Sequence, residues 1–195
     1  MKPVHSLLVV LCCSFLALAG CATHIRSHVV TNPPPAEPFA NFTRIQVGSV
    51  RLAREYAGKG SNDRALAKIQ ENLTARIAPL LARWNAGADT KAPKRTLLVD
   101  PVVAELKFID GNARFWVGGM AGSSAVILRV RITEYETGRV IATPEFYARA
   151  DSMGGAWTIG ATDNVMLVRI AGRLAEYLEA NYDRAVGGPS GVDVK

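Results

Sequence analysis

From Ala125 to Ala150 apolar and polar residues alternate with a period of two, the signature of strands with one buried face. Val126, Leu128, Val130 and Ile132 alternate with Arg129, Arg131 and Thr133, and the apolar set resumes after Glu136-Thr137-Gly138 at Val140, Ala142, Phe146 and Ala148. A hairpin loop of three residues, with Gly138 left-handed, opposes Tyr135 and Arg139. That register sets Ile132 opposite Ala142, Leu128 opposite Phe146 and Val126 opposite Ala148, so both apolar rows share one face. On the other face it pairs Arg129 with Glu145 and Ile127 with Tyr147, with Ile141 nearby. Pro144 cannot donate to a ladder, which assigns the second strand to a sheet edge.

The spacing elsewhere predicts one further strand pair and two helices. Ile45 and Val47 mark a strand within Phe42 to Leu52, and Leu97, Val99, Val103, Leu106 and Phe108 mark another from Thr96 to Ile109, with a bulge or an edge at Asp100-Pro101. Asp110-Gly111-Asn112 is a turn signal. Between these strands Leu66, Ile69, Leu73, Ile77, Leu80, Leu81 and Trp84 recur at three- and four-residue spacing, an amphipathic helix capped by Ser61 or Asn62 and stopped at Gly87. Pro79 inside it predicts a kinked last turn or an early end. A final helix spans Thr162 to Tyr182 with Met166, Leu167, Ile170, Ala171, Leu174 and Leu178 as its stripe; Gly172 on its flank reads as close packing. The order strand, helix, strand, hairpin, helix predicts an α+β fold of two layers, with one mainly antiparallel or mixed sheet of about four strands and two helices packed on one face.

The chain's N-terminus follows a different pattern. After Lys2 the residues from Ser6 to Ala19 are uncharged and too few to span a bilayer, a secretory signal. The run ends in Leu18-Ala19-Gly20-Cys21, which resembles the bacterial lipobox. The resemblance implies a signal peptide over 1–20, an N-terminal lipid on Cys21 including palmitate, and, with Ala22 rather than Asp next, sorting to the outer membrane. From Ala22 to Asn41 the chain is polar and broken by Pro33-Pro34-Pro35 and Pro38, so residues 21–41 read as an extended tether; an arm packed along the domain is the competing reading. Residues 42–184 make one periplasmic domain, and 185–195, rich in Gly, Pro and Ser, a disordered tail.

Cysteine and histidine usage narrows the chemistry. Cys12 and Cys13 leave with the signal, and a lipidated Cys21 makes no internal disulfide. His5 leaves too, while His24 and His28 lie beside the anchor, so the domain has no histidine for triad chemistry or zinc. Ser123, Ser124 and Ser152 lack a base, and Asp100, Glu105, Asp110, Asp151 and Asp163 show no spacing that pairs them as acid and base. We therefore expect no enzyme, no metal and no cofactor. The chain carries 23 Lys and Arg against 17 Asp and Glu, and losing Lys2 with the signal leaves a mild positive excess without the clustered stripe of a nucleic-acid binder.

Phe115 to Leu128 holds fourteen residues without a charge, including Gly118-Gly119, Gly122 and Ser123-Ser124. It has no phosphate-loop pattern. A glycine-permitted bend into a buried strand and an exposed apolar loop for a membrane or partner are both open; the second reading makes Phe115, Trp116, Met120, Ile127 and Tyr147 candidate contacts.

Arg114 before Gly118-Gly119-Met120-Ala121-Gly122, the run Glu136-Thr137-Gly138-Arg139-Val140-Ile141, and Gly154-Gly155 ahead of a helix with Ala171 and Leu178 are together similar to an uncharacterised family of bacterial lipoproteins, a domain of unknown function. That family usually reads Gly-aromatic-Gly-Ala-Gly at this patch, and Met120 departs from it. The resemblance implies no activity. The element order is also similar to small periplasmic modules of export and assembly lipoproteins. The expectation is an outer-membrane lipoprotein, lipid-anchored on the periplasmic face, whose non-catalytic domain binds a protein or envelope component. A subunit of an oligomeric secretion assembly, with ring contacts through the Phe115 loop and the hairpin edge, is the alternative, and a histidine-free envelope hydrolase a third.

Overall fold

Two helices lie on one face of a mixed six-stranded sheet, and the main hydrophobic core fills the space between them. The computed structural model describes residues 25–86, 94–108, 123–150 and 161–192. In chain order the elements are β1 (Thr31–Asn32), β2 (Arg44–Val47), β3 (Arg51–Leu52), α1 (Gly60–Asn85), β4 (Thr96–Lys107), β5 (Ala125–Glu134), β6 (Val140–Ala142), β7 (Glu145–Arg149), α2 (Ala161–Ala180) and β8 (Gly188–Pro189). The signal, Cys21, the Asp110 turn, the Gly-rich patch and Gly154-Gly155 lie outside the described residues.

The sheet is α+β as expected, but two of the four expected strands are split. The first breaks at Gly48-Ser49-Val50 into β2 and β3, both parallel to β4; the last breaks at Thr143-Pro144 into β6 and β7, both antiparallel to β5. β4 is central rather than an edge, and Pro101 fits because of the first break. Val99 accepts from Gly48 N–H and Val103 from Ala53 N–H, so the intervening Pro101, of the same parity, turns its missing N–H toward the gap between β2 and β3. The bulge falls instead at Ala104, where the register against β5 shifts between Val103 and Glu105.

The hairpin register is as expected at Ile132–Ala142, Leu128–Phe146, Val126–Ala148, Arg129–Glu145 and Ile127–Tyr147. Its turn differs. Glu134 N–H donates to Arg139 O at 2.9 Å and Gly138 N–H to Glu134 O at 2.8 Å, closing a four-residue loop with Gly138 at φ 70°. A register irregularity at Ile132/Thr133 restores the pairing below and places Ile141 in the main core instead of on the outer face.

α1 runs through Pro79 to Asn85 without ending early. Pro79 and Ala75 lie on the solvent side, so the carbonyl deprived of its helical donor faces water. The N-cap is Lys59, without a side-chain cap; Asn62 is inside the helix and donates to Tyr56 O at 3.0 Å. The predicted stripe of α2 is buried throughout. A Cβ on Gly172 would meet Arg76 Cζ at 3.7 Å, ordinary contact, so helix packing does not require glycine there.

Both ends of the described chain are part of the fold, against the expectation of a free tether and a disordered tail. The arm begins on the sheet's outer face with Ile25 buried, passes the β7 edge, and reaches the helix-side core at Phe39, which is fully buried near the Tyr177 ring. Thr31–Asn32 pairs antiparallel with Gly188–Pro189, and Ser190 is fully buried. Apolar Ile25 and Phe39, with Asn32, outweigh the extended bias of the intervening prolines. Asn181 holds the turn into the tail, accepting from Val186 and Gly187 N–H and donating to Tyr177 and Gly187 O.

Candidate functional site

The outward positions of the sheet divide into an apolar patch and a charged cleft. The patch consists of Ala104, Ala125 and Ile127 under Ile25, with Tyr147 packed against it. Ile127 is only 1% exposed, so this candidate contact is covered by the protein's own arm and offers no surface to a partner. Tyr147 is half-buried, and desolvation raises its phenol pKa above the usual value. Phe115, Trp116 and Met120 lie outside the described residues, as does Cys21.

Beside the patch, a cleft of about 510 Å3 is lined by Val29 of the arm, Arg51 of β3, Asp100 and Val102 of β4, Arg129 and Arg131 of β5, and Thr143 and Glu145. The register assembles it: Arg51 neighbours Val102, Val102 faces Arg129, and Asp100 faces Arg131. Period-two alternation turns all three arginines away from the core. Arg129 is held by Glu145, Nε to Oε2 at 2.8 Å, and lies 3.9 Å from Glu105; Ser27 of the arm donates to the other Glu145 oxygen at 2.6 Å. Arg51 and Arg131 form no hydrogen bond or ion pair among the described residues. The alternation of Arg129 and Arg131 was visible in the sequence, but the arrival of Arg51 depends on the parallel pairing of β3.

Among the described residues, several backbone groups of the hairpin edge, where ring contacts were expected, are already taken. At β7 the Asn32 carboxamide takes both backbone groups of Glu145, Tyr147 N–H donates to Ser190 O at 2.8 Å, and Ile141 O accepts from Ala36 N–H at 2.9 Å. The hairpin edge expected for an oligomeric ring is thus occupied by the arm and tail. At the opposite edge Asn85 does the same to Ile45, accepting at 2.9 Å and donating at 3.0 Å, while Gln70 accepts from Val50 N–H at 2.8 Å.

A separate ion network ties the arm to the hairpin turn. Arg95 reaches both Glu37 oxygens at 2.8 and 3.0 Å and Glu134 at 2.6 Å, with its guanidinium 4.5 Å from the Phe42 ring centre, and Arg139 bridges the same two carboxylates. The Arg95 hydrogen bonds hold the Glu37 carboxyl down at about 2, against partial desolvation that pushes the other way. They lower Glu134 likewise, and the two carboxylates raise Arg95 further. Every charge here is matched inside the fold, which marks a structural fastener rather than a reactive centre.

Among the described residues no group of three or more His, Cys, Asp or Glu could hold a metal, and no helix is long and apolar enough to cross a membrane. Of the carboxylates considered as acid and base, Asp110 and Asp151 lie outside the described residues. Asp100 lies in the cleft beside arginine.

No family model and no curated protein matches the chain. Among solved structures it is similar to the PelC dodecamer from Paraburkholderia phytofirmans, at 14% identity over 72% of this chain and 91% of that one, with a TM-score of 0.35. A candidate lipoprotein from Caulobacter crescentus aligns at 14% identity over 69% and 87%, TM-score 0.31. A Xanthomonas campestris protein of the family DUF330 aligns at 11% identity over 74% and 87%, TM-score 0.38. At these identities and scores the likenesses carry no argument about what this chain does.

Proposed function

We propose that the chain is an outer-membrane lipoprotein, acylated at Cys21, whose periplasmic domain binds a protein or envelope component and catalyses nothing. The observation that carries this reading is Leu18-Ala19-Gly20-Cys21 closing a short uncharged apolar run. The packed arm supports it with a geometric consequence. Only residues 22–24 separate Cys21 from Ile25, so the acylated residue stays within about 14 Å of the outer face. A domain tied that closely works at the membrane surface. Glu37, Glu134 and Glu145 are each engaged by arginine, which withdraws these three carboxylates from acid–base work.

Metabolic labelling with an alkyne fatty acid, followed by fractionation, tests the proposal. Label on the wild-type chain in the outer-membrane fraction, lost in Cys21→Ser, is the expected result. An unlabelled wild-type chain recovered from the soluble periplasm would overturn it.

A further inference from the structure

We propose that the arginine-lined cleft on the open face of the sheet binds the phosphate headgroups of anionic phospholipid in the membrane that holds the Cys21 acyl chains. The placement of that membrane rests on the lipidation reading above. The assignment of the cleft rests on its own geometry.

The first argument is reach. Ile25 covers Ala125 and Ile127, and Arg129 and Arg131 follow two and four residues along the same strand face, about 7 and 13 Å away at strand rise. Cys21 lies no more than about 14 Å of chain from Ile25. The chain therefore keeps the anchor within about 20 to 30 Å of the cleft arginines, on a domain held close to the plane where headgroup phosphates lie. Val29, four residues after Ile25, forms one wall of the cleft itself.

The second is charge. Arg44, Arg51, Lys107, Arg129, Arg131 and Arg149 occupy outward positions of the sheet, against Asp100, Glu105 and Glu145. On the helices the signs are closer to balance: Lys68 pairs with Glu71, Arg83 with Glu179 and Arg173 with Glu176. The outer face is the cationic one.

The third is the absence of internal partners where they are most available. Asp100 lies opposite Arg131 without an ion pair to it, and its Oδ1 is directed to the β2–β3 gap, 2.9 Å from the place a Cβ on Gly48 would take. Glu145 is committed to Arg129 and Ser27. Arg51 and Arg131 are left with exposed guanidinium forks, Arg51 across Val102 from Arg129 and Arg131 two residues along the Arg129 strand, donors suited to phosphate oxygens. A bilayer supplies such phosphates in a plane, which matches a shallow, open cleft better than one enclosed anion would.

The test uses residues 21–195 with Cys21→Ser, which carry neither an acyl group nor the apolar signal run, and vesicles of phosphatidylcholine alone or with an equal part of phosphatidylglycerol. Co-sedimentation with the mixed vesicles only, weakening as salt is added, is the expected result. Arg51→Gln with Arg131→Gln removes no hydrogen bond of the described structure and weakens that binding about 25-fold, about fivefold for each arginine at a charged surface. Lys68→Gln with Arg83→Gln, a matched loss of charge on the helices, leaves it nearly unchanged. Equal weakening by both pairs, or equal binding to both vesicles, would overturn the proposal. Release by inorganic phosphate at matched ionic strength would overturn it too, by assigning the cleft to a free anion. The mass of wild-type Cys21 is read separately. An unmodified cysteine removes the anchor and leaves the vesicle result standing, whereas a modified cysteine with equal weakening removes the cleft alone.

Discussion

The side-chain amide of Asn32 takes the place of a neighbouring strand for Glu145, accepting from its N–H at 2.8 Å and donating to its carbonyl at 2.9 Å. Asn32 is 2% exposed, so neither backbone group finds water if the amide is removed. Asn32→Ala should cost about 2 kcal/mol or more, since two buried groups lose partners at once. Asn32→Asp should be at least as harmful, because it sets a carboxylate oxygen against the Glu145 carbonyl. Urea unfolding measures the loss. Hydrogen exchange locates it: the Glu145 and Tyr147 amides should exchange ahead of β5.

Glu37 fastens the arm electrostatically. Its carboxyl is held near 2 when folded and sits at the ordinary 4.5 when unfolded, so its contribution is complete above about pH 4.5 and is lost as pH falls toward 2. Glu37→Gln should lower stability at pH 7 by about 1–3 kcal/mol, the range for hydrogen bonds to charged groups. The difference from wild type should shrink below pH 4.5 and vanish near pH 2. A gap that stayed constant from pH 7 to pH 2 would assign the role of Glu37 to packing.

What could be read in the sequence follows from the range of the interactions. The hairpin pairs from Ile132–Ala142 to Val126–Ala148 were legible because period two and Gly138 are local, and a slip of one residue would bury arginine. The stripe of α2 was legible for the same reason at period 3.6. The Asn32 and Asn85 clamps were not, because an asparagine in a proline-rich stretch or at a helix end carries no mark of the strand it meets 113 or 40 residues away. Proline content made the arm read as a tether, although Phe39, fully buried, was the apolar residue that such a tether has no reason to carry. The cleft was half legible: strand alternation put Arg129 and Arg131 together, while Arg51 needed tertiary pairing.

Gly172 offers a change in the stabilising direction. It lies inside α2, a built Cβ would meet Arg76 of α1 at 3.7 Å and Glu176 one turn along its own helix at 3.8 Å, and its backbone is not in the left-handed region. Alanine lowers the entropy of the unfolded chain and raises helix propensity. Gly172→Ala should therefore add about 0.5–1 kcal/mol. A loss in thermal unfolding would mean that Arg76 cannot make room.

Three glycines at positive φ separate conformational cost from collision. Gly138, at φ 70°, has open space around a Cβ, so Gly138→Ala pays only the left-handed penalty, about 1–2 kcal/mol, and Gly138→Asn less. Gly187, at φ 76°, would drive its Cβ into the Asn32 carbonyl oxygen and within 2.9 Å of the Pro33 and Pro34 backbone; Gly191, at φ 96°, would meet the Tyr147 carbonyl. Both obstacles are backbone and cannot swing aside. Gly187→Ala should therefore separate the tail from the arm rather than strain one turn, uncovering Asn32 and the β7 edge. Limited proteolysis distinguishes the cases: Gly187→Ala should open early cleavage between Ile25 and Pro35, while Gly138→Ala, even if equally destabilised overall, should leave the arm protected until the domain unfolds.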